Sequence, residues 1–137
     1  MTDHGLSKPE RLCSQKLLEM LFASGHRLMV FPFSIHWLCC PNEMLPKGVP
    51  AQVLIATSKK KFHHAVDRNR VKRLMRECYR QHKPQLYACL RDHDSAMLLA
   101  VNYIHTEIFD YATLQHKFDK VTAKLCEALE EAGGAQL

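Results

Sequence analysis

The side chains with most chemical potential in this sequence are cations. Residues 59–83 hold ten Lys and Arg against only Asp67 and Glu77, a local charge of +8, while the rest of the chain carries nine basic and twelve acidic side chains, or −3. An ordinary solvated helix alternates Glu with Lys so that residues four apart attract. Here only Glu77 interrupts the series Arg68, Arg70, Lys72, Arg73, Arg76 and Arg80, so like charges crowd together at a cost that a polyanion would relieve. Positive charge gathered into one segment of an otherwise slightly acidic chain points to nucleic acid.

Two other groupings carry reactive atoms. His63 and His64 could share acid–base work on a phosphodiester near neutral pH, which would make the chain a nuclease in its own right. Beside Lys59, Lys60 and Lys61, a phosphate-contacting or simply exposed role suits them better. His36, Cys39 and Cys40 offer zinc-compatible atoms, but adjacent cysteines lack the Cys-x-x-Cys spacing that wraps a tetrahedral ion and there is no second pair. No metal is therefore expected on protein side chains. A Gly-rich phosphate loop, a Gly-x-Ser-x-Gly elbow, a His-Glu-x-x-His pair and an Asp/Glu cluster suited to Mg²⁺ are all missing from the sequence.

The elements that must position these residues follow from periodicity. With 137 residues, 47% of them hydrophobic, the chain can bury one proper core and is too short for two. One domain over residues 1–137 is expected, with its core at about 9–131. Ser14 is a helix cap, Leu17, Leu18, Leu21 and Phe22 follow at helical spacing, and Ser24-Gly25 supplies a stop. Residues 27–30 and 33–38 read as extended, with Pro32 forcing a break or an edge position. Residues 39–50, with three prolines and a glycine, read as a long hairpin loop. Apolar runs at 52–57 and within 95–104 read as strands of a sheet interior.

Between those strands, Val71, Leu74, Met75, Cys78 and Tyr79 share one helical face. Arg68, Asn69, Lys72, Arg73, Arg76 and Arg80 fan over an adjoining arc of roughly 140°. Tyr79 belongs to the core on this reading, and Pro84 is expected to end the helix. Asp110 caps a last helix whose stripe is Tyr111, Leu114, Phe118, Val121, Leu125 and Leu129, ending before Gly133-Gly134. The resulting class is α+β, a helix–strands–helix–strand–helix sandwich. Residues 1–8 lack an apolar targeting core, and nothing approaches the roughly 18 apolar residues of a membrane span. The expectation is a cytoplasmic protein with its six cysteines reduced.

The run Ala65-Val66-Asp67-Arg68-Asn69-Arg70-Val71-Lys72-Arg73-Leu74-Met75-Arg76-Glu77, preceded by Ser58-Lys59-Lys60-Lys61, resembles the protein component of bacterial ribonuclease P, and the resemblance spans about residues 11–129. It implies a small mixed four-stranded sheet with a left-handed crossover at the Arg-Asn-Arg helix, against the usual right-handed rule. It also implies two partners, a catalytic RNA and the 5′ leader of precursor tRNA, with hydrolysis left to the RNA and its Mg²⁺ ions. No membrane and no obligate protein partner enter.

By the same resemblance Lys59, Lys60, Lys61, Arg68, Asn69, Arg70, Lys72, Arg73, Arg76 and Arg80 contact RNA. A leader cleft falls on the first helix and the following strand. Its positions correspond to Leu18, Phe22 and His36, of which only Phe22 carries the aromatic ring common in the family, so stacking is expected to shift toward Phe33 or Trp37. The turn through Lys61-Phe62-His63-His64 is one residue longer than in many relatives. A ribosomal or RNA-chaperone protein would use the same cationic helix, and a nuclease built on His63 and His64 would cleave without added RNA.

Overall fold

The structure is a computed structural model that describes residues 8–57 and 60–131. Lys59 lies outside the described residues, as do Ser58 and Gly133-Gly134. Three α-helices and four strands alternate as α1 (Gln15–Ser24), β1 (His26–Val30), β2 (Phe33–Cys40), β3 (Ala51–Thr57), α2 (Ala65–Asp92), β4 (Ala96–Tyr103) and α3 (Tyr111–Glu131). The sheet order is β1-β2-β4-β3, antiparallel except for the parallel β3–β4 pair. This is the α+β arrangement expected.

The caps are those the sequence offers. The Ser14 hydroxyl accepts the Leu17 N–H at 3.3 Å and Asp110 Oδ1 accepts that of Thr113 at 2.9 Å, each satisfying a donor that the first helical turn leaves unpaired. Gly25 donates its N–H to the Leu21 carbonyl and packs so closely that a Cβ there would collide with the Leu21 oxygen and press on the Trp37 carbonyl. Only glycine fits this close approach of α1 to β2.

Side chains on a strand alternate faces, and here each face has its own core. Phe33, Ile35, Met97, Leu99, Val101 and Tyr103 point toward α2 and α3. Leu38, Cys40, Ala96, Leu98 and Ala100 point toward α1, where Leu12 and Leu21 cover them. The start of the outer edge of β3 is covered by the lead-in to α1, with Leu12 donating to the Val53 carbonyl and the Gln52 amide donating to Pro9. That part of the edge is closed to a foreign strand.

Three expectations are corrected. Residues 39–50 are not a hairpin loop: Cys39 and Cys40 complete β2, and because β3 pairs with β4 and not with β2, residues 41–50 cross the end of β4. Pro84 does not end α2, which runs on to Asp92. The proline forfeits one backbone hydrogen bond, and burial of Leu86, Tyr87 and Leu90 beyond it outweighs that loss. The stop comes instead just beyond Asp92, where the φ of 51° at Asp94 lets Asp94 and Ser95 donate to Arg91 and Leu90, a Schellman-type stop. Finally, the cysteines are not all reduced. Cys89 of α2 and Cys126 of α3 form a disulfide, with Cα atoms 5.9 Å apart. A separation of 37 residues is silent about contact until both helices pack on the same sheet face.

Candidate nucleic-acid interface

The cationic arc is held by the helix that also supplies much of the core. Val71, Met75, Cys78 and Tyr79 are buried, fixing the rotation of α2 and turning Asn69, Arg70 and Arg73 into solvent, with Lys72 and Arg76 half-buried beside them. A rigid helix presenting several cations at fixed spacing suits a ladder of phosphates.

Not every cation in the series is equally available. Arg68 sits where the arc meets the buried stripe, and helical side chains lean toward the N-terminus. Its Nη1 donates to the Phe62 and His63 carbonyls at 2.8 and 2.9 Å, so it clamps the turn that leads into α2. Arg80 donates through Nε and Nη2 to the Glu77 carboxylate, and that hydrogen bond raises its pKa above the usual arginine value. Lys83 donates to Glu10, which also accepts from the Tyr87 hydroxyl. On the arc itself Arg70 and Arg73 are exposed and Lys72 and Arg76 half-buried beside them, and Lys60 and Lys61 are exposed in the preceding turn. His63 and His64 are exposed there too.

The second part of the site is the sheet face beneath α1. Leu18 packs on the apolar cluster there, and the Phe22 ring, 54% exposed, meets His36 edge-on with centroids 5.0 Å apart. These three expected cleft residues are brought together. The other two are not. Phe33 is fully buried on the opposite face, against Tyr103 and Phe118, and Trp37 packs toward that face with its ring on His26 at 4.6 Å. The reason is the two-residue period of a strand: 33 and 37 share one side, 34 and 36 the other. Pairing then adds residues the sequence reading missed. Arg27 lies opposite His36, Ser34 opposite Asn102, and Ala56 opposite Asn102, so all share the α1 face. Alternation counted from His36 would have found Ser34. The others needed the register.

The thiols do not form a centre. Cys39 and Cys40 are neighbours on β2 and therefore point to opposite faces. Burial pushes the Cys40 thiol up to about 11, helped by neighbouring Cys39, and pushes Cys78 up to about 12, helped by Glu77. Such thiols remain protonated at neutral pH and are poor nucleophiles. Among the described residues no three His, Cys, Asp or Glu side chains converge as metal ligands, and no helix is long and apolar enough to cross a membrane.

The sequence profile described as Ribonuclease P matches residues 6–126. The chain is 31% identical over 116 residues to the ribonuclease P protein component of Porphyromonas gingivalis, covering 85% of this chain and 82% of that one. It is 39% identical over 84 residues to that of Chlorobium phaeobacteroides, covering 61% and 58%. Among solved structures, the Staphylococcus aureus RNase P protein superimposes with a TM-score of 0.63 at 21% identity over 85% of this chain and 94% of that one. The Thermotoga maritima RNase P protein gives 0.63 at 21% over 84% and 96%. The last two likenesses concern the fold.

Proposed function

The chain belongs to the ribonuclease P protein family, and from that premise we propose that it is the protein subunit of a bacterial-type ribonuclease P, acting in the cytoplasm in 5′ maturation of tRNA. The observation that carries the reading is the pairing, on one rigid scaffold, of a cationic helix arc (Asn69, Arg70, Lys72, Arg73, Arg76) with the Phe22–His36 step on the other side of the sheet. The first suits the folded phosphate backbone of a catalytic RNA. The second suits single-stranded nucleotides, which bind by stacking and not by groove readout.

In this division of labour the phosphodiester is hydrolysed by the RNA, and Mg²⁺ held by that RNA supplies the hydrolytic chemistry. The protein contributes binding: Arg70 and Arg73 neutralise phosphates of the RNA subunit, while Phe22 and His36 grip the leader of precursor tRNA. Lys60 and Lys61 extend the cationic surface through the turn before α2, Lys59 is a further RNA contact by its place in the sequence, and Arg68 supports the surface by holding the turn in place.

Reconstitution with a ribonuclease P RNA tests the reading. The protein should stimulate cleavage by that RNA and cleave nothing without it. Phe22→Ala should weaken affinity for precursor carrying a leader several nucleotides long by about five-fold to a hundred-fold. Affinity for mature tRNA and the single-turnover rate of bound precursor should stay unchanged. A slowed bound step with unchanged affinity would overturn the leader cleft. Equal stimulation of unrelated RNA-dependent reactions would favour a general RNA chaperone instead.

A further inference from the structure

A second set of rings, one exposed and two half-buried, lies on the opposite side of the sheet from Phe22. Phe31, in the turn between β1 and β2, is 48% exposed. Its ring centroid is 5.0 Å from that of His105 and 6.2 Å from that of Phe109, and His105 and Phe109 are 4.9 Å apart. Phe109 packs in turn against the core shared with α2 and α3, which places the trio on the side of the sheet that carries the cationic helix.

The trio is held firmly. The Tyr103 hydroxyl donates to the Glu107 carbonyl at 2.7 Å and accepts the Phe109 N–H at 3.0 Å, and Ile104 donates its N–H to Pro32 at 2.9 Å. The two loops are thus tied to each other and to the last residue of β4. A large ring kept half in water by such bracing contributes less to the core than a buried one, since about half of its apolar surface remains hydrated. It is suited to receive a flat partner.

Its position relates it to the cations. Val30, Phe33, Tyr103 and Thr57 form one row across the sheet. Phe31 follows the first of these residues, and exposed Lys60 and Lys61 come shortly after the last. Three strand spacings, about 14 Å, separate the two ends of the row, and the Phe62 ring bridges toward Tyr103 at 5.9 Å. A phosphate chain running along α2 would reach the trio at its end. Exposed Glu107 shares the loop with the rings, so the contact there is stacking, with charge supplied from the lysine turn and the helix.

We propose that Phe31, His105 and Phe109 form a stacking site for an unpaired nucleotide of the ribonuclease P RNA, distinct from the leader cleft. The proposal rests on the reading of the chain as a ribonuclease P protein. It commits to the RNA subunit and not the leader because the trio and the cationic arc share one side of the sheet, whereas Phe22 and His36 lie on the other.

The test is equilibrium binding of the full-length protein to ribonuclease P RNA without substrate, for wild type, Phe31→Ala, Phe31→Tyr and Arg73→Ala, each across a salt series. Phe31→Ala should bind about five-fold to a hundred-fold more weakly with an unchanged salt slope, and Phe31→Tyr should restore most of the affinity. Arg73→Ala should flatten the slope. Wild-type affinity in Phe31→Ala, beside an Arg73→Ala variant that behaves as expected, overturns the stacking site alone. A loss seen only with leader-bearing precursor, or a change in self-association in place of RNA affinity, also overturns it. If the wild-type protein prefers ribonuclease P RNA no more than an unrelated structured RNA, the functional reading fails and the site fails with it. Thermal melts of each variant verify that the exposed substitution leaves the fold intact.

Discussion

At the scale of single residues, neighbours in one motif have different tasks. Arg68, Asn69 and Arg70 are consecutive, yet a rotation of 100° per residue puts Arg68 against the carbonyls of Phe62 and His63 and Arg70 in solvent. Removing Arg68 uncouples two carbonyls from a charged donor in a half-buried turn, at about 1–3 kcal/mol. Arg68→Ala should therefore lower the thermal midpoint by several degrees and weaken RNA binding as a consequence. Arg70→Ala and Arg73→Ala should leave the midpoint within about 1–2 °C of wild type, while each reduces RNA affinity and the salt slope by up to about one unit. Calorimetry beside RNA titration separates the two classes. Equal loss of stability in all three would show that the whole arc is structural.

At the scale of elements, α2 and α3 act as one unit. His82 lies 2.6 Å from Asp119 and Cys89 is joined to Cys126, so contacts seven residues apart on one helix match contacts seven residues apart on the other. The helices run in the same direction, with links two turns apart. The cationic arc on the first half of α2 is steadied by cross-links on its second half, which exists only because burial of Leu86, Tyr87 and Leu90 carries the helix past Pro84. Closing a chain segment of this length restricts the unfolded ensemble by about 3–4 kcal/mol in the chain-entropy view. Reductant should lower the thermal midpoint of wild type and leave Cys126→Ser unmoved. A wild-type melt that ignores reductant would mean that the link adds nothing to stability.

At the scale of the whole molecule, charge is separated from apolar surface. The sheet is covered by α2 and α3 on one face and partly by α1 on the other, leaving cations along α2 and exposed rings on both sides. Binding to the catalytic RNA should depend steeply on salt, because each neutralised phosphate releases counterions. With Arg70, Lys72, Arg73, Arg76 and Lys61 as contacts, a log–log slope of about −3 to −5 is expected. Filter binding or fluorescence titration between low and physiological salt measures it, and a slope near zero would contradict an electrostatic interface.

Much of this was written in local sequence. Helix caps at Ser14 and Asp110, the buried stripe of α2 and the crowding of cations around Arg70 depend on residues within a few positions of one another, and short-range periodicity registers such relations directly. What the linear order could not reveal were relations across the fold. Phe33 and Trp37 looked as available as His36 because alternation separates residues into two faces without saying which face a helix will cover. Pro84 looked like a stop because its local cost is visible in sequence, and the burial that offsets it becomes visible only when α2 meets the sheet. The Cys89–Cys126 link and the Phe31–His105–Phe109 trio each join residues that lie far apart in the chain. Their proximity is decided by which strands pair and which helices share a face, and that choice is made by the packed core as a whole.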